Sequence, residues 1–299
     1  MRSWLLLLVC IILFIECSSR RSDSPPDSAT SGRFELVADE TLRPVIDSLV
    51  AGFNYQTPNA TVTVRYTNAT TALDDLLQSR TRLVLIGRPL AKSETDLIAK
   101  SGIELTDADV AVNAIGCLVN SKNTLESISL DQLRQIVGDR SISNANREGL
   151  LRISSSYLSS TEFAVDSIFG LTKYQEGEIR FFETTDSIIK RIRNDEHAIG
   201  FVGVSWLKNI LQSSDSSVRV LPISGIVEKP IILHPAYLLQ GIYPLTSRVM
   251  GYTSAVPNTL PRGFLAYCMS ADGQRVFLNY GLLPKTQILK LVASPEESR

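Results

Sequence analysis

The chain has 299 residues, with 30 Lys+Arg against 31 Asp+Glu, 44% hydrophobic and 20% charged. That apolar share is ample for a packed core and excludes global disorder, and the length suggests two domains or one large one. Near-zero net charge argues against a nucleic-acid binder, which needs a basic excess, but leaves small anions open because local geometry holds them.

Residues 4–15, WLLLLVCIILFI, form an unbroken apolar run behind Arg2. The run is too short for a spanning helix of about 20 residues but fits the core of a secretory signal, with an uncleaved N-terminal anchor as the alternative. The Ser- and Pro-rich stretch that follows reads as a flexible tether. Residues 1–17 are therefore expected to be a signal and 18–32 a tether. Cys17, followed by Ser18 and Ser19, stands where the apolar run stops. It resembles the lipidation cysteine of a bacterial lipoprotein signal, although Glu16 replaces the small residue usual before it.

Arg33–Ala38 alternates as a first strand, and behind Asp39, Glu40 and Thr41 a helical pattern places Val45, Leu49 and Phe53 on one face. Ala60–Tyr66 is a β-branched strand, Thr70–Gln78 a short helix and Leu83–Ile86 an apolar strand. The β-α-β-α-β rhythm predicts an α/β fold with a parallel sheet covered by helices. Further on, strands are expected at Val110–Val119, Leu151–Ser154 and Ala198–Val202. Helices are expected at Leu130–Val137, Glu162–Phe169, Asp186–Asn194, Arg262–Ser270 and Asp272–Tyr280.

Catalysis has no positive signal: GxSxG, Walker, HExxH and GxGxxG motifs are all missing. His197 and His234 stand alone, and the pair Asp74–Asp75 reads as a solvated helix face. Cys117 and Cys268 lie in apolar surroundings and read as buried free thiols, so neither a metal nor another cofactor is expected. What recurs is a strand followed by small hydroxyl residues at a helix start: Asp39-Glu40-Thr41, Thr67 to Thr71, and Leu158-Ser159-Ser160-Thr161. Free N–H groups and hydroxyls there can grip an oxyanion, although plain N-capping uses the same residues. Open α/β sheets bind ligands at such strand ends. Arg88, held before Pro89 at a strand end, is either an oxyanion ligand or the partner of a nearby carboxylate.

The order of motifs resembles the phosphate-binding proteins of bacterial phosphate ABC importers. It is carried by ADETLRPVIDSLVAGFNYQTP (38–58), VRYTNATTALDDLLQSRTRLVLIGRPL (64–90), SLDQLRQIVGD (129–139) and SSTEF (159–163). AIGFVGVSW (198–206), IYPLTSRV (242–249) and FLAYCMSADGQRVFLNYGLLP (264–284) continue it, so that residues 33–292 match in consistent order. The resemblance implies a type II periplasmic-binding-protein fold of two hinged α/β lobes around a cleft. Lobe one would hold 33–118 and 240–292, and lobe two 119–239.

By the same resemblance Thr41, the Leu42 N–H and Thr70 with its neighbour Asn68 would contact phosphate from one lobe, and Ser159, Ser160 and Thr161 from the other, while Arg88 would stand in, from the first lobe, for an arginine that relatives carry in the second. Relatives place an aspartate after the third strand, where this chain has Gly87-Arg88, and an arginine before the SST loop, where Ser155 and Ser156 stand. Asn113 also occupies a position where relatives often carry Asp. The implied protein is a monomer of the bacterial periplasm or outer side of the cytoplasmic membrane. It captures phosphate or a similar oxyanion, delivers it to an ABC permease, and touches the bilayer through Cys17 if lipidated. The alternatives are a phosphate sensor or surface interaction protein on the same fold and, further off, a phosphoester hydrolase.

Overall fold

The computed structural model describes residues 27–133, 152–156, 179–182, 184–212 and 216–286. The first three strands, β1 (Gly32–Asp39), β2 (Ala60–Thr67) and β3 (Leu83–Ile86), pair in parallel, with Asp39 beside Thr67 and Ala38 beside Leu85. Helix α1 (Arg43–Gln56) follows a 3-10 turn at Glu40–Leu42 and buries Val45, Leu49 and Phe53 on the sheet, as the periodicity predicts. Pro44 in its first turn costs no intrahelical bond. Helix α2 (Ala69–Leu77) covers the other face through Ala72, Leu73 and Leu76.

Helix α3 (Lys92–Ser101) lacked a sequence signal because it buries no residue, so no apolar stripe existed to read. It closes on Gly102, whose φ of 70° suits glycine.

The long β4 (Thr106–Asn120) changes partners along its length. Thr106–Ala114 pairs antiparallel with β11 (Thr246–Thr253), and Ile115–Val119 with β8 (Ala198–Gly203). Through β8 the sheet continues to β6 (Arg152–Ser156) and β7 (Ile179–Phe182), giving the order β2-β1-β3-β11-β4-β8-β6-β7. The outer strands of each half run parallel, as expected, whereas β4 and β11 at the centre run antiparallel to their neighbours. Strand β9 (Val218–Leu221) also pairs with the second part of β4. A short β5 (Ile128–Ser129) and β10 (Ile223–Ser224) form a separate parallel pair.

Helices α4 (Thr185–Asn194) and α5 (Val204–Gln212) pack on the second half-sheet through Ile188, Ile192, Leu207 and Ile210. Helix α6 (Pro235–Leu239) is capped by His234, whose Nδ1 accepts the Ala236 N–H at 3.2 Å, a structural use of that imidazole. The last helices, α7 (Leu260–Met269) and α8 (Ala271–Asn279), lead to β12 (Leu283–Pro284), which returns to β4.

Cys117 and Cys268 are buried and unpaired, and burial pushes both thiols far above their usual pKa. The reading of Asp74–Asp75 as a solvated face needs correction. Asp75 turns inward with its side chain 6% exposed, held by Arg65 and Arg80. Burial works to raise its pKa, but hydrogen bonds from the two guanidiniums outweigh it and leave the carboxyl below its usual value. The expected strand at Leu151–Ser154 runs over Arg152–Ser156 among the described residues. Cys17 and the expected helix Glu162–Phe169 lie outside them.

Candidate functional site

The carboxyl ends of β1, β2 and β3 lie side by side, and the residues that follow each strand meet there. Asp39 ends β1, is fully buried, and caps the 3-10 turn. Its Oδ1 accepts the Thr41 N–H at 3.1 Å and the Thr41 hydroxyl at 2.9 Å. Its Oδ2 accepts the Gly87 N–H at 3.2 Å, which ties the end of β1 to the end of β3. Leu42, next along, points its side chain into the core. After β2, Asn68 caps α2 by accepting the Thr71 N–H at 2.8 Å, leaving Thr70 exposed at the helix start.

Arg88 leaves β3 into this cluster, nearly buried. Its Nη1 and Nη2 donate to the two Glu94 carboxylate oxygens at 2.7 Å each, a bidentate pair. Nη1 also donates to the Pro89 carbonyl at 3.1 Å, and Nη2 to the Thr70 hydroxyl oxygen at 3.4 Å. That last contact leaves the Thr70 proton to be donated elsewhere. Glu94 further accepts the Ala91 N–H at 2.7 Å. Burial works to raise the Glu94 pKa, yet Arg88 and the Ala91 N–H outweigh it, so Glu94 stays ionised below its usual value. Of the two alternatives for Arg88, the partner carboxylate is thus present, six positions along on α3.

The second half-sheet approaches the same loop. Thr185, at the start of α4, donates its N–H at 3.3 Å and its hydroxyl at 3.0 Å to Glu40 Oε2. Ser205 in α5 donates to the Thr41 carbonyl at 3.4 Å. A Cβ at Gly203 would stand 3.1 Å from that carbonyl, so a side chain there would crowd the close approach. Nearby, Asn113 on β4 and Ser247 on β11 are register partners, and both side chains are buried with no hydrogen-bond partner among the described residues.

Burial pushes the Glu40 carboxyl above its usual value, offset only in part by Thr185 and by Arg43, whose Nε lies 3.8 Å away. The native state therefore holds this proton more tightly than the unfolded chain. Its contribution is fully favourable below the unfolded value of 4.5 and declines as pH rises through the elevated folded value. Glu40→Gln, a neutral isostere that still accepts from Thr185, is expected to melt higher than the wild type at neutral pH. That margin should shrink towards pH 4, in thermal unfolding followed across a pH series.

The structure thus brings Thr41, Thr70 and Arg88 to one edge of the sheet, with Asn68 and Leu42 as their supports. Ser159, Ser160 and Thr161 lie outside the described residues. Sequence reasoning missed Glu94 and Thr185 as members of the cluster. Glu94, at the third position of α3, carried a weak signal, whereas the Glu40–Thr185 contact spans 145 positions and carried none. Among the described residues no group of His, Cys, Asp or Glu could hold a metal ion, and no helix is long and apolar enough to cross a membrane.

A family model described as the PBP superfamily domain matches residues 23–272, well over half of the chain. The chain belongs to this superfamily. Protein SphX of Synechococcus elongatus is 22% identical over 265 residues, covering 84% of this chain and 77% of that protein. The phosphate-binding protein PstS of Borreliella burgdorferi is 21% identical over 195 residues, covering 62% and 67%.

Among solved structures, a phosphate-bound substrate-binding protein of a phosphate ABC transporter from Clostridium perfringens superposes with a TM-score of 0.70. It shares 15% identity, over 85% of this chain and all of the other. An ABC-type phosphate transport receptor from Vibrio cholerae gives 0.63 at 18% identity, again over 85% of this chain and all of the other. The fold is therefore the type II periplasmic-binding-protein fold expected from the sequence. Family and fold are those of PBP-type solute-binding proteins, not enzymes.

Proposed function

We propose that this PBP-superfamily chain is an exported solute-binding protein that captures an inorganic oxyanion, phosphate first, and delivers it to the permease of an ABC importer. The observation that carries the reading is the convergence of Thr41, Thr70 and Arg88 at the carboxyl ends of three adjacent parallel strands, where sheets of this class take ligands. The phosphate-binding Borreliella relative and the similar phosphate-transport proteins of Clostridium and Vibrio point the same way. In this reading residues 33–118 with 240–292 form one lobe and 119–239 the other. Thr41, the Leu42 N–H, Asn68, Thr70 and Arg88 face Ser159, Ser160 and Thr161 across the cleft. Residues 1–17 direct export, and Cys17 carries the lipid that holds the protein at the outer side of the cytoplasmic membrane.

The bidentate Arg88–Glu94 pair favours one second reading, a sensor or surface interaction protein, because it neutralises the cleft's arginine from within. Trp206 separates the two, since it adjoins Ser205, which touches the Thr41 carbonyl. Titrating phosphate, sulfate and arsenate against its fluorescence is expected to give a saturable change with phosphate. A flat response to all three anions, confirmed by calorimetry, would overturn the transport reading and leave the interaction role.

A further inference from the structure

We infer that a second pocket, apart from the strand ends, takes the apolar tail of a small amphiphilic monocarboxylate, with Lys208 receiving the carboxylate at its rim. The pocket has a volume of about 300 Å³ and is walled by Val204 and Leu207 of α5, Leu221 of β9, Leu233, and Leu278 of α8. That size lies at the lower end of small-molecule sites, which run from about 300 to 1,000 Å³. None of the residues that meet at the ends of β1, β2 and β3 lines it.

A hollow of this size is more than a packing fault. Protein interiors leave few gaps larger than a water molecule, and an apolar wall kept open to water forgoes burial that a neighbouring side chain could supply. The walls come from separate parts of the fold: α5 and β9 lie with the second half-sheet, whereas α8 packs on α1 and β4. They touch at Gly281, where a Cβ would stand 2.8 Å from Val204 Cγ2. Ile232 also lines the pocket and is 55% exposed, so the pocket opens to solvent beside it.

The polar end is as specific as the apolar walls. Among the described residues that line the pocket, Lys208 alone carries a charge. Its Nζ stands 4.5 Å from the centroid of the Tyr280 ring. The Tyr280 hydroxyl shares a 2.7 Å hydrogen bond with Ser48 Oγ, which fixes the ring as a plate beneath the ammonium. No ion pair among the described residues involves Lys208. The ring face attracts the cation but accepts no conventional hydrogen bond, so the ammonium N–H groups remain to be donated to an anion. A single cation at the rim of an apolar hollow matches one carboxylate on an alkyl or aryl tail. A neutral apolar molecule would leave Lys208 unused, and a compact polyanion would have to shed water against apolar walls.

The test is titration calorimetry of the mature protein with octanoate, hexanoate and octanol, each below the concentration at which it self-associates. Octanoate is expected to bind, and hexanoate to bind roughly tenfold more weakly or worse, since each buried methylene is worth about fourfold in affinity. Lys208→Gln is expected to weaken octanoate at least fivefold and to leave octanol unchanged. Ile232→Asp, at an exposed position, sets a like charge beside the head group and is expected to weaken octanoate at least tenfold. Thermal unfolding confirms that both variants fold. No octanoate binding by the wild type overturns the site, and binding that neither substitution alters overturns its place in this pocket. An equal loss of octanol and octanoate in Lys208→Gln overturns the pairing of the lysine with the carboxylate.

Discussion

Arg88→Ala is expected to lower stability by about 2–3 kcal/mol and to weaken phosphate binding at least tenfold. The stability loss follows from what stays behind. Removing one partner of a buried pair costs about 3–5 kcal/mol because the other charge is left uncompensated. Glu94 keeps the Ala91 N–H and is a fifth exposed, which brings this case just below that range. The binding loss has two sources: the contact that orients the Thr70 hydroxyl disappears, and so does a positive charge at the end of β3. The double variant Arg88→Ala/Glu94→Ala separates them. It is expected to regain more than half of the lost stability, since no charge is stranded, while binding stays weak. Calorimetry that shows wild-type affinity in either variant would make Arg88 a purely structural residue.

Phe264→Ala is expected to be the most destabilising single change in the core, by about 3–5 kcal/mol. Phe264 is fully buried on α7, with its ring edge-on to Phe53 at 5.3 Å and to Phe34 at 6.2 Å. One ring thus clamps α1, β1 and α7 together, and alanine would leave a cavity that three different elements would have to fill. At about 2–4 °C per kcal/mol for a chain of this size, the melting temperature should drop by roughly 10 °C. Phe264→Leu should lose about half as much. Because the clamp lies in the core and not in the strand-end cluster, phosphate affinity measured well below the transition is expected to stay unchanged. Equal melting of Phe264→Ala and wild type would contradict the packing described.

Legibility in the sequence followed the depth of the apolar pattern. Strands β1 to β3 and helix α1 could be read because each buries one face or both, which forces period 2 or 3.6 on the chain. Helix α3 could not, since none of its residues is buried. Strand β11 buries five successive residues, Val249–Thr253, so its alternation fades there. In the site, the hydroxyls and Arg88 stood out because strand ends and Pro89 mark them locally. Their partners did not stand out. Glu40 meets Thr185, and Asp75 turns towards Arg65, only after distant segments are stacked. Charge pairing across a fold has no periodicity, and an acidic residue on a helix looks solvated until its partner is known.

The continuity of β4 through both half-sheets constrains how they can move. Sliding one half past the other would break a whole row of ladder bonds at once, on β11 or on β8. A twist spreads small dihedral changes over several residues and breaks none of them. The register shift in β11 at Val249/Met250 already concentrates twist beside this segment. The two halves therefore behave like plates on a torsion bar, stiff to shear and soft to rotation. The turning point falls at Ala114–Ile115, one residue from the enclosed Asn113 amide.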